Sequence, residues 1–265
     1  MTAPPAIIAS ADNPTFRRLR ALVDEPREVK LQGRTVLVGA HLVEACLAAG
    51  YPLRQLLLAD AGDQSSEVAS LRRAAGGVPV LRFAAGLFKT LTGMPSAAAV
   101  AAEIDVPQGA ALPAGEDIVA LDAVQDAGNL GTILRTVAAA GIRHVALGTG
   151  CAGAWSGKVL RAGQGAHFAL DIRESVSLAT WLPERKLPVF GAVAGGDASV
   201  YALDLRRPHA WVFGSEGQGH GEAVRACLDR AVTIPLAKGI ESLNVATAAA
   251  ICLFEARRQR LGARK

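Results

Sequence analysis

Three loops in the second half of the sequence carry the side chains with the most chemical potential. Asn129-Leu-Gly-Thr-Ile-Leu-Arg135 is a polar loop entering a helix, with an amide at one end and a guanidinium at the other. Phe213-Gly-Ser-Glu216-Gly-Gln-Gly follows a strand and sets one carboxylate among glycines, which permit close backbone approach to a ligand. Ile234-Pro-Leu-Ala-Lys-Gly-Ile-Glu-Ser242-Leu-Asn244 leads from a strand into a long helix, and a loop ahead of a helix presents free N–H and C=O groups to a polar ligand. The five histidines show no ligand spacing, and Cys46, Cys151, Cys227 and Cys252 form no Cys-x-x-Cys pair, so no metal site is expected.

The elements that must position these loops follow from periodicity. Val232–Leu236 reads as a strand, and apolar residues at Val245, Ala248, Ala249, Cys252, Leu253 and Ala256 predict a helix over 244–261, with Ser242 and Asn244 both suited to cap it. Further strands are predicted at 117–122, 144–147, 168–172, 189–192 and 211–213. Helices are predicted at 132–140, 156–162, 177–182 and 221–228, with 124–131 a loop. Gly141 is the expected C-cap of the helix at 132–140. This alternation gives an α/β domain on a mostly parallel sheet.

The first half alternates likewise. Asn13 caps a helix with Pro14 at its first position and Phe16, Leu19, Leu22 and Val23 on its apolar face; Arg17, Arg18 and Arg20 lie opposite, either solvated or facing phosphate. Strands at 35–38, 55–59, 78–81 and 97–102 and helices at 39–49, 65–75 and 84–91 make a second small layered sheet. The Pro-, Gly- and Ala-rich stretch 106–117 reads as a linker between domains 1–105 and 118–265.

Composition sets bounds. A net charge of +4 and a pI near 9.1 permit a polyanionic partner, while 5% aromatics leave phosphate and shape contacts from arginine, rather than base stacking, to recognise it. No segment approaches ~18 uninterrupted apolar residues, so no membrane span is expected, and the N-terminus lacks the marks of a signal peptide. Dispersed cysteines point to a reducing, cytoplasmic setting. Gly148-Thr-Gly-Cys-Ala-Gly153 matches a dinucleotide fingerprint on paper but follows a complete βα unit and opens no clear helix; Gly157-Lys158 lacks the upstream glycine and the hydroxyl of a phosphate loop.

The three loops, in their order and spacing, resemble the SpoU (TrmH-like) branch of the SPOUT RNA methyltransferases over residues 118–258. The front half looks like the small α/β RNA-binding domain of ribosomal-protein type found in many members. The resemblance implies a deep C-terminal trefoil knot, a homodimer, and transfer of a methyl group from S-adenosylmethionine to a ribose 2′-hydroxyl of structured RNA. Ribosomal RNA is favoured; the alternatives are transfer RNA, or a non-catalytic RNA-binding protein on the same fold. Carried over by position, backbone around Gly214, Ile234 and Leu243 would hold the adenosine part, with Leu236, Ser242 and Asn244 lining the same pocket. Asn129, Arg135, Glu216 and Asn244 would form the polar cluster at the methyl acceptor. Arg17, Arg18, Arg135 and Arg161 would meet RNA. A guanidinium is a poor base, so phosphate binding or alkoxide stabilisation suits Arg135 better than proton abstraction. Departures from the family pattern are Ala127 for a proline, Gly163 within Arg161-Ala-Gly-Gln-Gly for a serine, His220 for a leucine, and Val38 for a glutamate.

Overall fold

The computed structural model describes residues 7–60, 65–93, 100–109 and 115–262. The chain forms two compact units, one of residues 1–107 with 155–168 and one of 108–154 with 169–265. The start of the strand expected at 97–102 and residues 110–114 of the expected linker lie outside the described residues.

The first unit opens with β1 (Ile7–Ile8), α1 (Pro14–Asp24), α2 (Pro26–Gln32), β2 (Arg34–Val38), α3 (Ala40–Ala48) and β3 (Gln55–Ala59). It continues with α4 (Ser66–Ala74), β4 (Val80–Phe83), α5 (Ala85–Thr92) and β5 (Val100–Asp105). The sheet order is β1-β4-β3-β5-β2, with β5 antiparallel to both neighbours and the other pairs parallel. Asn13 Oδ1 accepts from Thr15 N at 2.9 Å and starts α1 as its sequence predicts, and Phe16, Leu19 and Leu22 are buried. The short α2 is a departure from the sequence reading. Pro26 at its first turn and Gly33, left-handed at φ 61°, bracket it where a charged run had masked the signal.

In the second unit β6 (Ile118–Leu121) leads into α6 (Ala127–Ala140) and β7 (His144–Gly148). The chain then supplies Trp155–Phe168, with α7 (Gly157–Gly163), to the first unit before β8 (Asp171–Val176), α8 (Leu178–Trp181), β9 (Val189–Ala192), β10 (Ala198–Ser199), β11 (Ala210–Phe213), α9 (Glu222–Arg225), β12 (Arg230–Thr233) and α10 (Val245–Gly262). All seven strands are parallel, in the order β10-β12-β9-β11-β6-β7-β8. The central strands read as continuous apolar runs because both faces are covered.

Several boundaries move: the strand expected at 78–81 is Val80–Phe83, and the helix expected at 221–228 ends at Arg225. The stretch expected as a loop at 124–131 is already helix from Ala127, because Asp126 Oδ1 accepts from Asn129 N at 2.7 Å and caps it against the local glycines. The strand expected at 168–172 begins at Asp171, since Ala166–Ala169 is a 3-10 turn that buries Phe168. β12 stops at Thr233, short of Leu236.

The decoy motifs are packing devices. A Cβ on Gly148 would lie 2.8 Å from Leu178 Cδ1 and 3.0 Å from the Leu121 carbonyl, and Cys151 Sγ donates to that carbonyl at 3.2 Å. A Cβ on Gly157 would lie 2.9 Å from the Val23 carbonyl at the end of α1.

The 155–168 segment sits within the first unit rather than the second, where the sequence had put it. Thr35 Oγ1, fully buried on β2, donates to Trp155 O at 2.7 Å; Trp155 packs on His167 and Phe168, and Phe168 on Tyr51. The first unit is therefore built from two stretches of chain. Thr35→Val keeps the shape but orphans a buried carbonyl; the expected cost is about 1–3 kcal/mol of unfolding free energy, read as a lower denaturant midpoint at unchanged slope.

Candidate active site

Chain order reverses direction beside β6: β7 and β8 are added on one side, while β11 and β9 lie on the other. Open parallel sheets bind ligands in the crevice at such a switch, outside the carboxyl ends of the strands. The loops after β6 and β11 meet there, tied by Asp122 N donating to Phe213 O at 2.8 Å and Gly221 N donating to Asp122 Oδ2 at 2.8 Å.

The loop after β11 is a tight hairpin. Ser215 N donates to Gly219 O at 2.9 Å and Gly219 N to Ser215 O at 3.0 Å, with Gly219 at φ 66° closing the turn. Gly214 is required for a reason other than ligand approach. A Cβ there would lie 2.3 Å from the Gly219 carbonyl carbon and 2.7 Å from His220 N, so the hairpin could not close over it. Glu216 is thereby held exposed at the tip.

Three of the four predicted polar residues form one hydrogen-bonded chain. Asn244 Oδ1 accepts from Ala246 N at 2.9 Å and Thr247 N at 3.3 Å, making Asn244, not Ser242, the cap of α10. Asn244 Nδ2 donates to Asn129 Oδ1 at 3.0 Å, and Asn129 Nδ2 donates to Glu216 Oε1 at 2.6 Å. The direction is forced. Helix N–H groups only donate, so Asn244 must offer its oxygen to them and its NH₂ onward; Asn129 must do the same, and a donor arrives at Glu216. Arg135 stands apart from this chain. It is exposed on the outer face of α6, in line with Gly128 and Thr132, and has no hydrogen-bond or ion-pair partner among the described residues. Six residues beyond Asn129, it falls about 240° round the helix from it, so a cluster that includes Arg135 is not formed within this chain.

The third loop supplies a surface with apolar and polar parts. Across 234–244 the backbone makes one internal turn bond, Ile240 N to Ala237 O at 3.2 Å, and Asn244 O accepts from Ala248 N at 2.9 Å as α10 begins. Leu236 and Ile240 are exposed, Ser242 is exposed, and Ile234 and Leu243 are half-buried. The loop thus sets apolar side chains beside polar groups. Cys151, beside Asp122 and Val124, is held as a neutral thiol, pushed up to about 11 mainly by burial, and is no nucleophile. Of the expected RNA contacts, Arg18 is spoken for: it makes a two-pronged pair, at 2.5 and 2.9 Å, with Glu103, which is buried on β5. Arg17 pairs with exposed Asp12, and Arg161 is exposed on α7 without a side-chain partner among the described residues. Asp126 and Asp122 escaped the sequence reading. Asp126 had a usable signal, a cap residue three positions before Asn129.

A seven-stranded parallel α/β domain with an amide–carboxylate chain at its switch point belongs to the doubly wound class that binds ligands there. Residues 116–254 match the SpoU rRNA methylase family. Along nearly its full length the chain is similar to an uncharacterised tRNA/rRNA methyltransferase of Synechocystis (32% identical, 99% of this chain and 97% of that one). It is also similar to the 23S rRNA (guanosine(2553)-2′-O)-methyltransferase RlmP of Bacillus subtilis (31% identical, 94% and 98%). The structure resembles the SpoU methyltransferase AviRb of Streptomyces viridochromogenes in complex with AdoMet, with a TM-score of 0.86, 25% identity, and 94% and 98% of the two chains covered. The chain belongs to the SpoU rRNA methylase family and is an RNA methyltransferase.

Gly214→Ala tests the hairpin. Circular dichroism is expected to stay native, while S-adenosylmethionine affinity by calorimetry falls at least roughly tenfold, about 1.4 kcal/mol.

Proposed function

We propose that this protein is a cytoplasmic homodimer that methylates a ribose 2′-hydroxyl of ribosomal RNA. The observation that carries the reading is the directed chain from α10 through Asn244 and Asn129 to Glu216. S-adenosylmethionine is the methyl donor; when bound, it supplies an electrophilic methyl carbon on a positively charged sulfur. Gly214, Ile234, Leu236, Ser242, Leu243 and Asn244 would hold it. Because Asn129 fills one oxygen of Glu216 from the donor side, the other oxygen remains an acceptor for the ribose hydroxyl or for a water beside it. Placing that hydroxyl in line with the methyl carbon is the main contribution, since orientation is worth several kcal/mol in such transfers. Arg135, unpartnered, is suited to the neighbouring RNA phosphate or to negative charge developing on the oxygen.

The similarity to a 23S rRNA methyltransferase extends over both units and supports ribosomal RNA as substrate. On the first unit, Arg17 and Arg161 are among the exposed arginines, with Arg27 and Arg73. The Arg17–Asp12 pair is exposed on both sides and worth little in water, so exchange for phosphate is easy. The trefoil knot belongs to the same reading. β12 lies two strands beyond β11, yet the chain that leaves it returns to set Asn244 against Asn129 and α10 against α6, so it must cross the loops between.

The functional test is mapping of 2′-O-methyl nucleotides in ribosomal and transfer RNA from cells with and without the gene. One ribosomal site is expected to vanish, to return with wild type and to stay absent with Arg135→Ala, which still binds S-adenosylmethionine. A transfer-RNA site would move the substrate, and full rescue by Arg135→Ala would remove the arginine from the reaction. The dimer draws support from α10, whose outward side carries exposed Phe254 and half-buried Ile251. Wild type is expected to sediment as a dimer and Phe254→Glu as a monomer; a monomeric, active wild type would overturn it.

A further inference from the structure

His220 is 5% exposed and has no part in the chemistry above. It stands at the exit of the hairpin that carries Gly214 and Glu216. The hairpin's waist is closed by its own Ser215–Gly219 bonds, and its exit is held at two points. Gly221 N donates to Asp122 Oδ2 at 2.8 Å, and His220 Nε2 lies 3.0 Å from Ala192 O at the end of β9. A carbonyl only accepts, so Nε2 carries the ring's proton and donates. Nδ1 is then the bare nitrogen, and it is buried with no partner. A second proton would have to sit there with nothing to accept it. The charged groups facing the ring are Asp122 at the end of β6, which favours protonation, and Arg225 of α9, which opposes it.

We propose that His220 is a positioning residue of the cofactor site: its neutral ring pins the exit of the Gly214–Gly221 hairpin to β9, and gain of a proton on Nδ1 releases the hairpin. This rests on the reading that the hairpin forms one wall of the S-adenosylmethionine site, and adds a control of that wall by acid. Burial, the largest influence, lowers the ring's pKa from its ordinary 6.5 in the closed hairpin. The sign follows. An opened hairpin restores the ordinary value and binds the proton better, so the closed form has its full advantage above 6.5 and loses it as pH falls below that value. Cofactor affinity is therefore flat at neutral and alkaline pH and weakens in acid, by at most about tenfold per pH unit for one proton.

The experiment is calorimetry of S-adenosylmethionine binding to the full chain between about pH 8 and about pH 5.5, with thermal melts at each pH to follow global folding. His220→Ala removes donor and ring and is expected to bind about tenfold more weakly at the alkaline end, the scale of one lost hydrogen bond. His220→Gln restores a donor at similar reach and cannot titrate, so it recovers most of that loss and, unlike wild type, keeps its affinity into acid. Wild type and His220→Gln weakening in parallel, or His220→Ala binding as wild type does, overturns the proposal while leaving the site intact. Absence of binding by wild type at every pH overturns the reading of the site itself, and the proposal with it.

Discussion

The first turn of α10 sets the direction of the side-chain contacts that run through Asn244 and Asn129 to Glu216. Its free N–H groups can only donate, and the Glu216 carboxylate at the other end can only accept, so the roles between them are fixed. They fix the amide of Asn244, Asn244 fixes Asn129, and Asn129 delivers a donor to Glu216. An isolated asparagine can turn its amide over at little cost, and a carboxylate at a loop tip can lose its place to solvent. Neither freedom survives when the sequence of donors and acceptors is anchored in a helix terminus. The partial positive charge of that terminus also favours an anion at the far end of the chain.

This arrangement holds only if α10 itself cannot move. Its buried face of Val245, Ala249, Cys252, Leu253 and Ala256 packs the helix down. Two of the three arginines that follow, Arg257 and Arg260, fasten it to other elements. Arg257 donates to Ala140 O at 3.0 Å at the end of α6, Arg258 pairs with Glu255, and Arg260 pairs with Asp117 at the start of β6 while donating to Leu205 O at 3.1 Å. Gln259 adds bonds in both senses to the Leu203–Leu205 turn. The C-terminal end of the helix is thus tied to α6, which carries Asn129, and to the start of β6, which leads into it. The two amides that must meet at 3.0 Å are attached to parts that share one frame.

Local chemistry was legible in the sequence where a signal was local. Asn13-Pro14 announced α1, Gly141 closed α6, and apolar spacing outlined α10. The three loops were legible too, and the structure brings the side chains of Asn129, Glu216 and Asn244 together. What could not be read depended on distant partners. Arg18 looks like any solvated arginine until Glu103, 85 residues on, is found buried against it. Trp155–Phe168 continues the alternation of the second unit in sequence, yet its partners Thr35 and Tyr51 lie in the first. Arg135 belongs to a motif but sits on the outer side of its helix, and a motif records what a site uses without recording which surface presents it.

The position of Arg135 follows from the same constraint that orders the amides. The inner side of α6 is taken up by Leu130, Ile133, Leu134 and Val137 in the core, and its N-terminal turn by Asn129. A cation placed inward would need a carboxylate partner, and Glu216 at the site already receives Asn129. Pairing the two within the chain would neutralise both the acceptor and the charge intended for RNA, and would desolvate the guanidinium before any phosphate arrived. Keeping Arg135 outside leaves it hydrated and available at no folding cost, and leaves Glu216 with an open acceptor oxygen. The separation of the two charges leaves Glu216 an open acceptor oxygen and Arg135 an open guanidinium, as the roles proposed for them require.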